Sequence, residues 1–211
     1  MSSNQPSNPP SAYSQAATEI TAIMYIGNSG VGKSTLLNKL GGDFHAGVSW
    51  RKGLTKDVSE NWVKLKGKRV LLVDVPGLFE PRREETEHNA RMLTQALGRG
   101  YRYNLTFVLR ASSRGFEEAD LLMISKVNEC VKGIVGLDVT FKAIINQIND
   151  DEVYEMYNET VAKDNFQSQF AEWEEEGYHF DITIDSVLLL RHDQDFVQKK
   201  TSEVLKNFEC R

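Results

Sequence analysis

Three glycines, a lysine and a serine stand at a fixed spacing between an apolar run that ends at Ile26 and the start of a helical pattern. Together they fit the pattern G-x-x-x-x-G-K-S, which requires this strand–loop–helix context. Glycines allow the backbone to turn its N–H groups inward, where they can surround the β- and γ-phosphates of a nucleotide. Lys33 adds a positive charge, and the hydroxyl of Ser34 can ligate Mg²⁺. The residues predicted to bind a nucleoside triphosphate here are Gly27, Asn28, Ser29, Gly30, Val31, Gly32, Lys33, Ser34 and Thr35.

A second motif, Asp74-Val75-Pro76-Gly77, follows the apolar run from Arg69 to Val73. A carboxylate at the end of a buried strand can hold Mg²⁺ opposite Ser34, commonly through a water molecule. The alternative is a solvated aspartate that opens the turn before Pro76. Gly77 can offer its backbone N–H to a γ-phosphate, which makes it a catalytic candidate. Many ATPases place a glutamate base directly after this aspartate, and the valine found there disfavours an ATPase.

The stretch 43–57 shows no hydrophobic period and contains two glycines. An aperiodic stretch of this length inside a compact domain is usually functional. A threonine hydroxyl in such a loop can complete the Mg²⁺ shell while a γ-phosphate is present, and it is released after hydrolysis. We predict this catalytic and metal-binding role for Thr55, with Ser49 as a competing candidate. The predicted metal site therefore consists of Ser34, Thr55 and Asp74.

Short apolar runs alternate with helical patterns along the rest of the chain. The predicted strands end at Ile26 or cover Val58–Leu65, Arg69–Val73, Leu105–Leu109, Val139–Asn146 and Ile182–Leu190, with a turn at Lys66-Gly67. The predicted helices run to about Leu40 and over 86–98, Phe116–Val131, 151–176 (with a break allowed near Asp164) and 194–208. This alternation predicts an α/β fold with a doubly wound, mostly parallel sheet of about six strands, one of them antiparallel, and helices on both faces.

The composition narrows the function classes. The 211 residues carry a formal net charge of −5, from 25 basic and 30 acidic side chains, which argues against general nucleic-acid binding. Two distant cysteines, Cys130 and Cys210, indicate neither a disulfide framework nor a metal site and favour a reducing compartment. The N-terminus shows neither the charged nor the apolar region of a signal peptide, and no apolar run reaches the roughly 18–20 residues that a membrane span needs, so we expect neither feature. We therefore expect a cytoplasmic protein, with residues 1–17 as a disordered tail.

Gly27–Ser34, Gly53-Leu54-Thr55-Lys56 and Asp74–Gly77 together resemble the AIG1-type G domains, a group of P-loop GTPases. This group includes the GIMAP (immunity-associated) proteins, and septins and the chloroplast import GTPases are related to it. The segment from Arg114 to Asp120 is similar to that family's Arg-Phe/Tyr-Thr-x-Glu-Asp box. The resemblance covers about residues 18–150. It implies that residues 18–211 form one G domain that binds GTP and GDP with Mg²⁺ and acts as a nucleotide switch.

The guanine motif of that family is Asn-Lys-x-Asp, and the matching segment here reads Asn146-Gln147-Ile148-Asn149. A carboxylate accepts hydrogen bonds from both donors of guanine, whereas an Asn amide offers one acceptor and one donor. The mismatch should lower guanine affinity by up to about two orders of magnitude. Asp150 stands one residue late, and a small shift of the loop could bring it in. The predicted base-binding residues are Asn146, Gln147 and Asn149, with a weakened preference for GTP over ATP or xanthosine triphosphate.

Leu78 occupies the position at which Ras-like enzymes place a glutamine that orients the attacking water. Because an apolar side chain cannot orient water, we expect slow intrinsic hydrolysis. The resemblance makes Arg114 a candidate arginine finger, supplied across a dimer formed through the nucleotide face. Further candidates for stabilising charge are His45, Arg51, Lys52, Arg82 and Arg83. A nucleotide-binding interaction module that hydrolyses little or nothing is the alternative function.

Overall fold

The computed structural model describes residues 20–46, 57–78, 83–110, 116–148, 162–175, 177–178, 180–191 and 197–210. The predicted tail at residues 1–17 and part of the aperiodic stretch 43–57 lie outside these ranges. Their predicted roles therefore stay predictions.

In the part of the chain that the structure describes, six strands form one sheet. They are β1 (Thr21–Ile26), β2 (Ser59–Leu65), β3 (Lys68–Asp74), β4 (Arg102–Leu109), β5 (Asp138–Ile148) and β6 (Ile184–Arg191). Their order across the sheet is β2-β3-β1-β4-β5-β6, and among these described strands only β2 runs antiparallel to its neighbour. The predicted mostly parallel sheet with one antiparallel strand is confirmed.

Within the described residues, five helices connect or flank these strands. They are α1 (Lys33–Lys39), α2 (Arg83–Leu97), α3 (Glu118–Lys132), α4 (Ala162–Glu175) and α5 (Val197–Glu209). Their boundaries differ from the predicted ones by a few residues, except that the predicted helix 151–176 is described only from Ala162 onwards. Asp164 lies in the first turn of this helix, and residues 149–161 lie outside the described ranges, so the break allowed near Asp164 stays a prediction.

The sheet has an apolar core on each face, as expected of a doubly wound fold. Helices α2, α3 and α4 pack against one face, and α1 and α5 pack against the other. Strand β1 shows why both cores form: Ala22, Met24 and Ile26 point to the first core, and Ile23 and Tyr25 point to the second. All five of these side chains are almost completely buried, because β1 lies inside the sheet with helices above and below it.

The hairpin between β2 and β3 is closed by the two predicted turn residues. Lys66 has φ 45° and Gly67 has φ 85°. Two consecutive residues with positive φ are typical of the two-residue turn whose twist matches that of the flanking strands. The hairpin brings β3 back towards β1, with which it pairs in parallel, and places Asp74 beside Tyr25.

Polar contacts fasten α5 to the sheet and to α1. Glu209 is 3% exposed, and its Oε1 accepts a hydrogen bond from the Thr106 hydroxyl at 3.1 Å. Lys142 lies 3.8 Å from the Glu209 carboxylate and donates to the Phe208 carbonyl at 2.8 Å. The pKa of Glu209 is raised above its ordinary value, because the effect of burial exceeds the opposing effect of the nearby Lys142. Ser202 donates to the carbonyl oxygen of Lys39 at 2.7 Å, so α5 also supports the helix that follows the glycine-rich loop.

The parallel strands β1, β3, β4 and β5 all end at the same edge of the sheet. The strand order reverses at β1, because β3 lies on one side of it and the next strand along the chain, β4, lies on the other. In open α/β sheets, ligands bind in the crevice at this edge, where the strand order reverses. None of the helices in the described ranges is long and apolar enough to cross a membrane.

Candidate nucleotide-binding site

The loop of residues 27–32, here called the phosphate loop, joins the end of β1 to the start of α1. Its last residue, Gly32, has φ 97° and ψ 17°, a left-handed conformation that strongly favours glycine. A residue in this conformation reverses the chain, so that α1 starts with its N-terminus directed at the edge of the sheet where the crevice opens. The loop and helix therefore have the arrangement in which backbone N–H groups and a helix N-terminus bind phosphate.

The ammonium group of Lys33 is held by the phosphate loop. Its Nζ donates hydrogen bonds to the carbonyl oxygens of Gly27 at 2.9 Å and Asn28 at 3.1 Å. The residue is only 7% exposed. A buried ammonium is costly unless oxygen atoms solvate it, and the loop carbonyls do so. The positive charge is thereby held against the loop at the edge of the crevice, as the sequence pattern requires.

Ser34 and Asp74 meet at the bottom of the crevice. The Ser34 hydroxyl donates to Oδ2 of Asp74 at 2.6 Å, and Asp74 is 1% exposed at the end of β3. These two hard oxygen donors fit Mg²⁺, which is usually bound by one or two protein oxygens together with phosphate and water. The described residues contain no cluster of three or more His, Cys, Asp or Glu side chains that could hold a metal by itself. An ion at this place would depend on the nucleotide for the rest of its shell.

Gly77 packs directly against the phosphate loop. A Cβ atom at this position would lie 2.8 Å from the backbone nitrogen of Ser29 and 3.2 Å from its Cα. The carbonyl oxygen of Gly77 accepts a hydrogen bond from Asn89 at 2.7 Å, which ties it to α2. Only glycine fits here, and the contact places the Asp74–Gly77 motif next to the phosphate loop. Leu78, in contrast, is 1% exposed and belongs to the core below α2.

The end of β5 reaches the phosphate loop from the other side. Asn146 donates from Nδ2 to the carbonyl oxygen of Val31 at 2.8 Å. The next residue, Gln147, has φ 62°, so the strand backbone is irregular at the predicted base motif. Asn146 thus connects the predicted base site to the phosphate site. Asn149 and Asp150 lie outside the described residues.

Two further contacts to the phosphate loop were not predicted from the sequence. Asp120, in the first turn of α3, accepts a hydrogen bond from Nδ2 of Asn28 at 2.8 Å. Arg110, just after β4, donates to the carbonyl oxygen of Gly30 at 2.6 Å. Burial raises the pKa of Asp120 to about 6, although the hydrogen bond from Asn28 lowers it. Asp120 closes the segment that resembles the AIG1-type box, where no role was assigned to it, and Arg110 carries no sequence signal beyond its position directly after β4.

The segments of the chain that follow α1, β3 and β4 contain further predicted functional residues. Thr55, Ser49, Arg51, Lys52, Arg82 and Arg114 lie outside the described residues. Arg83 begins α2, but its side chain is not among the described ones. His45 is exposed. Among the described residues, the structure brings together Gly27–Ser34, Asp74, Gly77 and Asn146.

Comparison with known proteins places this arrangement among GTPases. A family model described as 50S ribosome-binding GTPase matches residues 22–135, more than half of the chain. The chain is similar to GTPase Der of Thermosipho africanus, with 28% identity over 131 residues, which are 62% of this chain and 25% of that protein. The chain therefore matches about a quarter of the length of this curated relative.

Solved structures with low sequence identity share the fold. Toc33 from Arabidopsis thaliana, as a dimerization-deficient mutant, aligns with a TM-score of 0.60, 17% identity and coverage of 91% of this chain and 84% of that one. Toc33 in complex with GDP and Mg²⁺ aligns with a TM-score of 0.57, 16% identity and the same coverage. Era in complex with MgGDPNP and a segment of 16S ribosomal RNA aligns with a TM-score of 0.50, 18% identity and coverage of 82% and 51%.

Proposed function

The chain belongs to the 50S ribosome-binding GTPase family, and we propose that it binds GTP and GDP with Mg²⁺ and hydrolyses GTP slowly as a nucleotide switch. The observation that carries the proposal is the meeting of Lys33, Ser34 and Asp74 at the end of the phosphate loop. A lysine charge held against the loop and two hard oxygens 2.6 Å apart are the chemistry that a Mg²⁺–triphosphate needs.

In the proposed site, Ser34 ligates Mg²⁺ directly and Asp74 holds it from behind, commonly through a water molecule. Thr55 completes the shell when a γ-phosphate is bound and leaves it after hydrolysis, which is the proposed switch. Gly77 offers its N–H to the γ-phosphate. Its contact with Ser29 in the phosphate loop supports this role.

We assign the base site to Asn146, Gln147 and Asn149. The hydrogen bond from Asn146 to Val31 supports a base motif that is fastened to the phosphate loop. Because an Asn amide at 149 meets one of the guanine donors with a donor of its own, the proposed preference for guanine is weak. Asp150 remains the alternative partner of the base.

Slow hydrolysis follows from Leu78. Its side chain lies in the apolar core, where it can neither contact nor orient a water molecule near the nucleotide. A second copy of the chain can supply a positive charge that stabilises the transition state. We therefore propose dimerisation through the nucleotide face, with Arg114 of one copy acting as an arginine finger on the nucleotide of the other. The dimer and the arginine finger are proposed from the resemblance to AIG1-type G domains. On the same resemblance we propose that the chain belongs to this subfamily and that residues 18–211 form one G domain.

Turnover measured at increasing protein concentration tests this proposal. We expect the specific GTPase activity to rise with concentration, and Arg114→Ala to abolish the rise while leaving the activity of the dilute protein unchanged. Arg102→Ala is the matched control, because Arg102 pairs with Asp138 at the opposite end of β4. A flat profile for the wild-type protein would reject the dimer. Absence of turnover at every concentration, with nucleotide bound, would favour the alternative of a non-hydrolysing interaction module.

No nucleic-acid partner is proposed. The net charge of −5 disfavours one. The Era structure with 16S ribosomal RNA contains a longer chain, of which this one covers 51%. A cytoplasmic location also stays a prediction, based on the two distant cysteines.

A further inference from the structure

Helix α3 contacts the phosphate loop through one pair of side chains. Asn28 of the loop donates from Nδ2 to Oδ1 of Asp120 at 2.8 Å, and the two residues are 92 positions apart. Asp120 is only 4% exposed. We propose that Asp120 is a positioning residue of the phosphate loop, which it holds in its phosphate-binding conformation through Asn28. This inference rests on the proposed function and assigns to it a residue outside the nucleotide-binding motifs.

Holding Asn28 also holds the lysine of the motif. The main-chain carbonyl of Asn28 accepts a hydrogen bond from Lys33 Nζ at 3.1 Å. The same residue precedes Ser29, whose backbone nitrogen lies against Gly77. A shift of Asn28 would therefore move both the lysine acceptor and the surface on which the second motif packs. A carboxylate fixed on a helix can prevent this shift at little entropic cost, because its own backbone is already ordered.

The pair belongs to a set of three supports around the loop. Arg110 donates to the carbonyl of Gly30, and Asn146 donates to the carbonyl of Val31. These two contacts fix main-chain atoms from the ends of β4 and β5. The contact between Asp120 and Asn28 is the support that reaches the first half of the loop from α3.

The charges around Asp120 indicate how the pair behaves with a bound phosphate. Within the described residues, Glu117 raises the pKa of Asp120 and Arg110 lowers it, while burial raises it most. The phosphate loop presents the neutral amide of Asn28. A bound phosphate adds negative charge and favours the protonated carboxyl. The protonated group still accepts from Asn28, and its O–H can be accepted by Oδ1 of Asn28, which is buried and accepts no hydrogen bond within the described residues.

Two predictions follow from this chemistry. Asn at position 120 keeps an acceptor and a donor, so Asp120→Asn should preserve the contact, whereas Asp120→Ala removes it. In addition, nucleotide binding should be linked to proton uptake by Asp120. The GDP affinity of the wild-type protein should therefore increase, relative to that of Asp120→Asn, as the pH falls from 7.5 to 5.5. The comparison cancels the titration of the nucleotide itself.

The experiment is a titration of each full-length variant with fluorescently labelled GDP in excess Mg²⁺. We expect Asp120→Ala and Asn28→Ala each to weaken binding about tenfold, and the double variant to weaken it by no more than either alone. Asp120→Asn should stay within about threefold of the wild type. The matched control is Asp164→Ala, which removes an exposed carboxylate from α4.

The outcomes separate this inference from the proposed function. A wild-type protein that binds no GDP would overturn both. A wild-type protein that binds GDP, with single variants of unchanged affinity or with fully additive losses, would overturn the positioning role alone. If Asp120→Ala does not fold, the comparison of Asn28→Ala and Asp120→Asn with the wild type still decides: Asn28→Ala at wild-type affinity refutes the role. A purely structural Asp120 would lower the melting temperature without changing the pH profile.

Discussion

Replacing Gly32 by alanine measures how closely the phosphate site and the base site are packed together. The residue has φ 97°, and a Cβ atom would lie 2.7 Å from Nδ2 of Asn146. An alanine forced into a left-handed conformation costs about 1 kcal/mol. The methyl group must also displace the Asn146 amide, whose 2.8 Å hydrogen bond to Val31 contributes about 1 kcal/mol. We therefore expect Gly32→Ala to lower the free energy of unfolding by about 2 kcal/mol.

The variant Gly136→Ala separates the conformational cost from the cost of displacing the Asn146 amide. Gly136 has φ 75°, and no described atom lies within 4 Å of its would-be Cβ, so this variant has only the conformational cost of about 1 kcal/mol. In a domain of this size, 1 kcal/mol corresponds to about 2–4 °C in melting temperature. Gly32→Ala should therefore melt about 4–8 °C lower than the wild type, and Gly136→Ala about 2–4 °C lower.

The assay is thermal unfolding followed by circular dichroism, together with GDP titration of the same samples. In an Asn146→Ala background, Gly32→Ala should lose only about 1 kcal/mol, because the hydrogen bond is already gone. GDP affinity should fall in Gly32→Ala and stay unchanged in Gly136→Ala. Equal melting temperatures and equal GDP affinities of Gly32→Ala and Gly136→Ala would refute the proposed packing of Asn146 against the loop.

Two further predictions concern Mg²⁺ and pH. Ser34→Ala removes the hydroxyl that donates to Asp74, and it should raise the Mg²⁺ concentration required for half-maximal GTP binding by at least about tenfold. An unchanged requirement in a Mg²⁺ titration would contradict this. Burial raises the pKa of Asp120 from 3.8 to about 6, so its ionised form destabilises the folded protein by about 3 kcal/mol above pH 6, and this penalty disappears below pH 4. In urea unfolding without nucleotide, the wild type should therefore gain stability relative to Asp120→Asn as the pH falls from 6 to 4. A difference independent of pH would show that Asp120 is not buried as described.

The arrangement of the candidate site was predictable where its residues are close in sequence, whereas their roles stay predictions. The glycines, lysine and serine of the phosphate loop are close in sequence, and Asp74 ends an apolar run, so their spacing was sufficient to predict that they lie at one edge of the sheet. The parallel sheet then brings the two motifs together, because the ends of β1 and β3 share one edge. The fold class was predictable because the alternation of strands and helices is also a local pattern along the sequence.

Contacts between distant parts of the chain were not predictable. Asp120 is 92 residues from Asn28, and Arg110 is 80 residues from Gly30. The resemblance to the AIG1-type box includes Asp120 but assigns it no contact, since only packing decides which carboxylate of this segment faces the loop. Leu78 was predicted to be unable to orient water, and its burial adds that the side chain points into the core. The roles of Thr55, Arg114 and Asn149 stay predictions.

Competition of unlabelled GTP, GDP, ATP and xanthosine triphosphate against fluorescent GDP, with and without Mg²⁺, tests the central claim most directly. We predict saturable binding of guanine nucleotides, weaker when Mg²⁺ is chelated, and a preference of GTP over ATP of less than about a hundredfold. A preference of about a thousandfold would contradict the relaxed base site at Asn149. Absence of saturable binding of any of the four nucleotides would contradict the account as a whole.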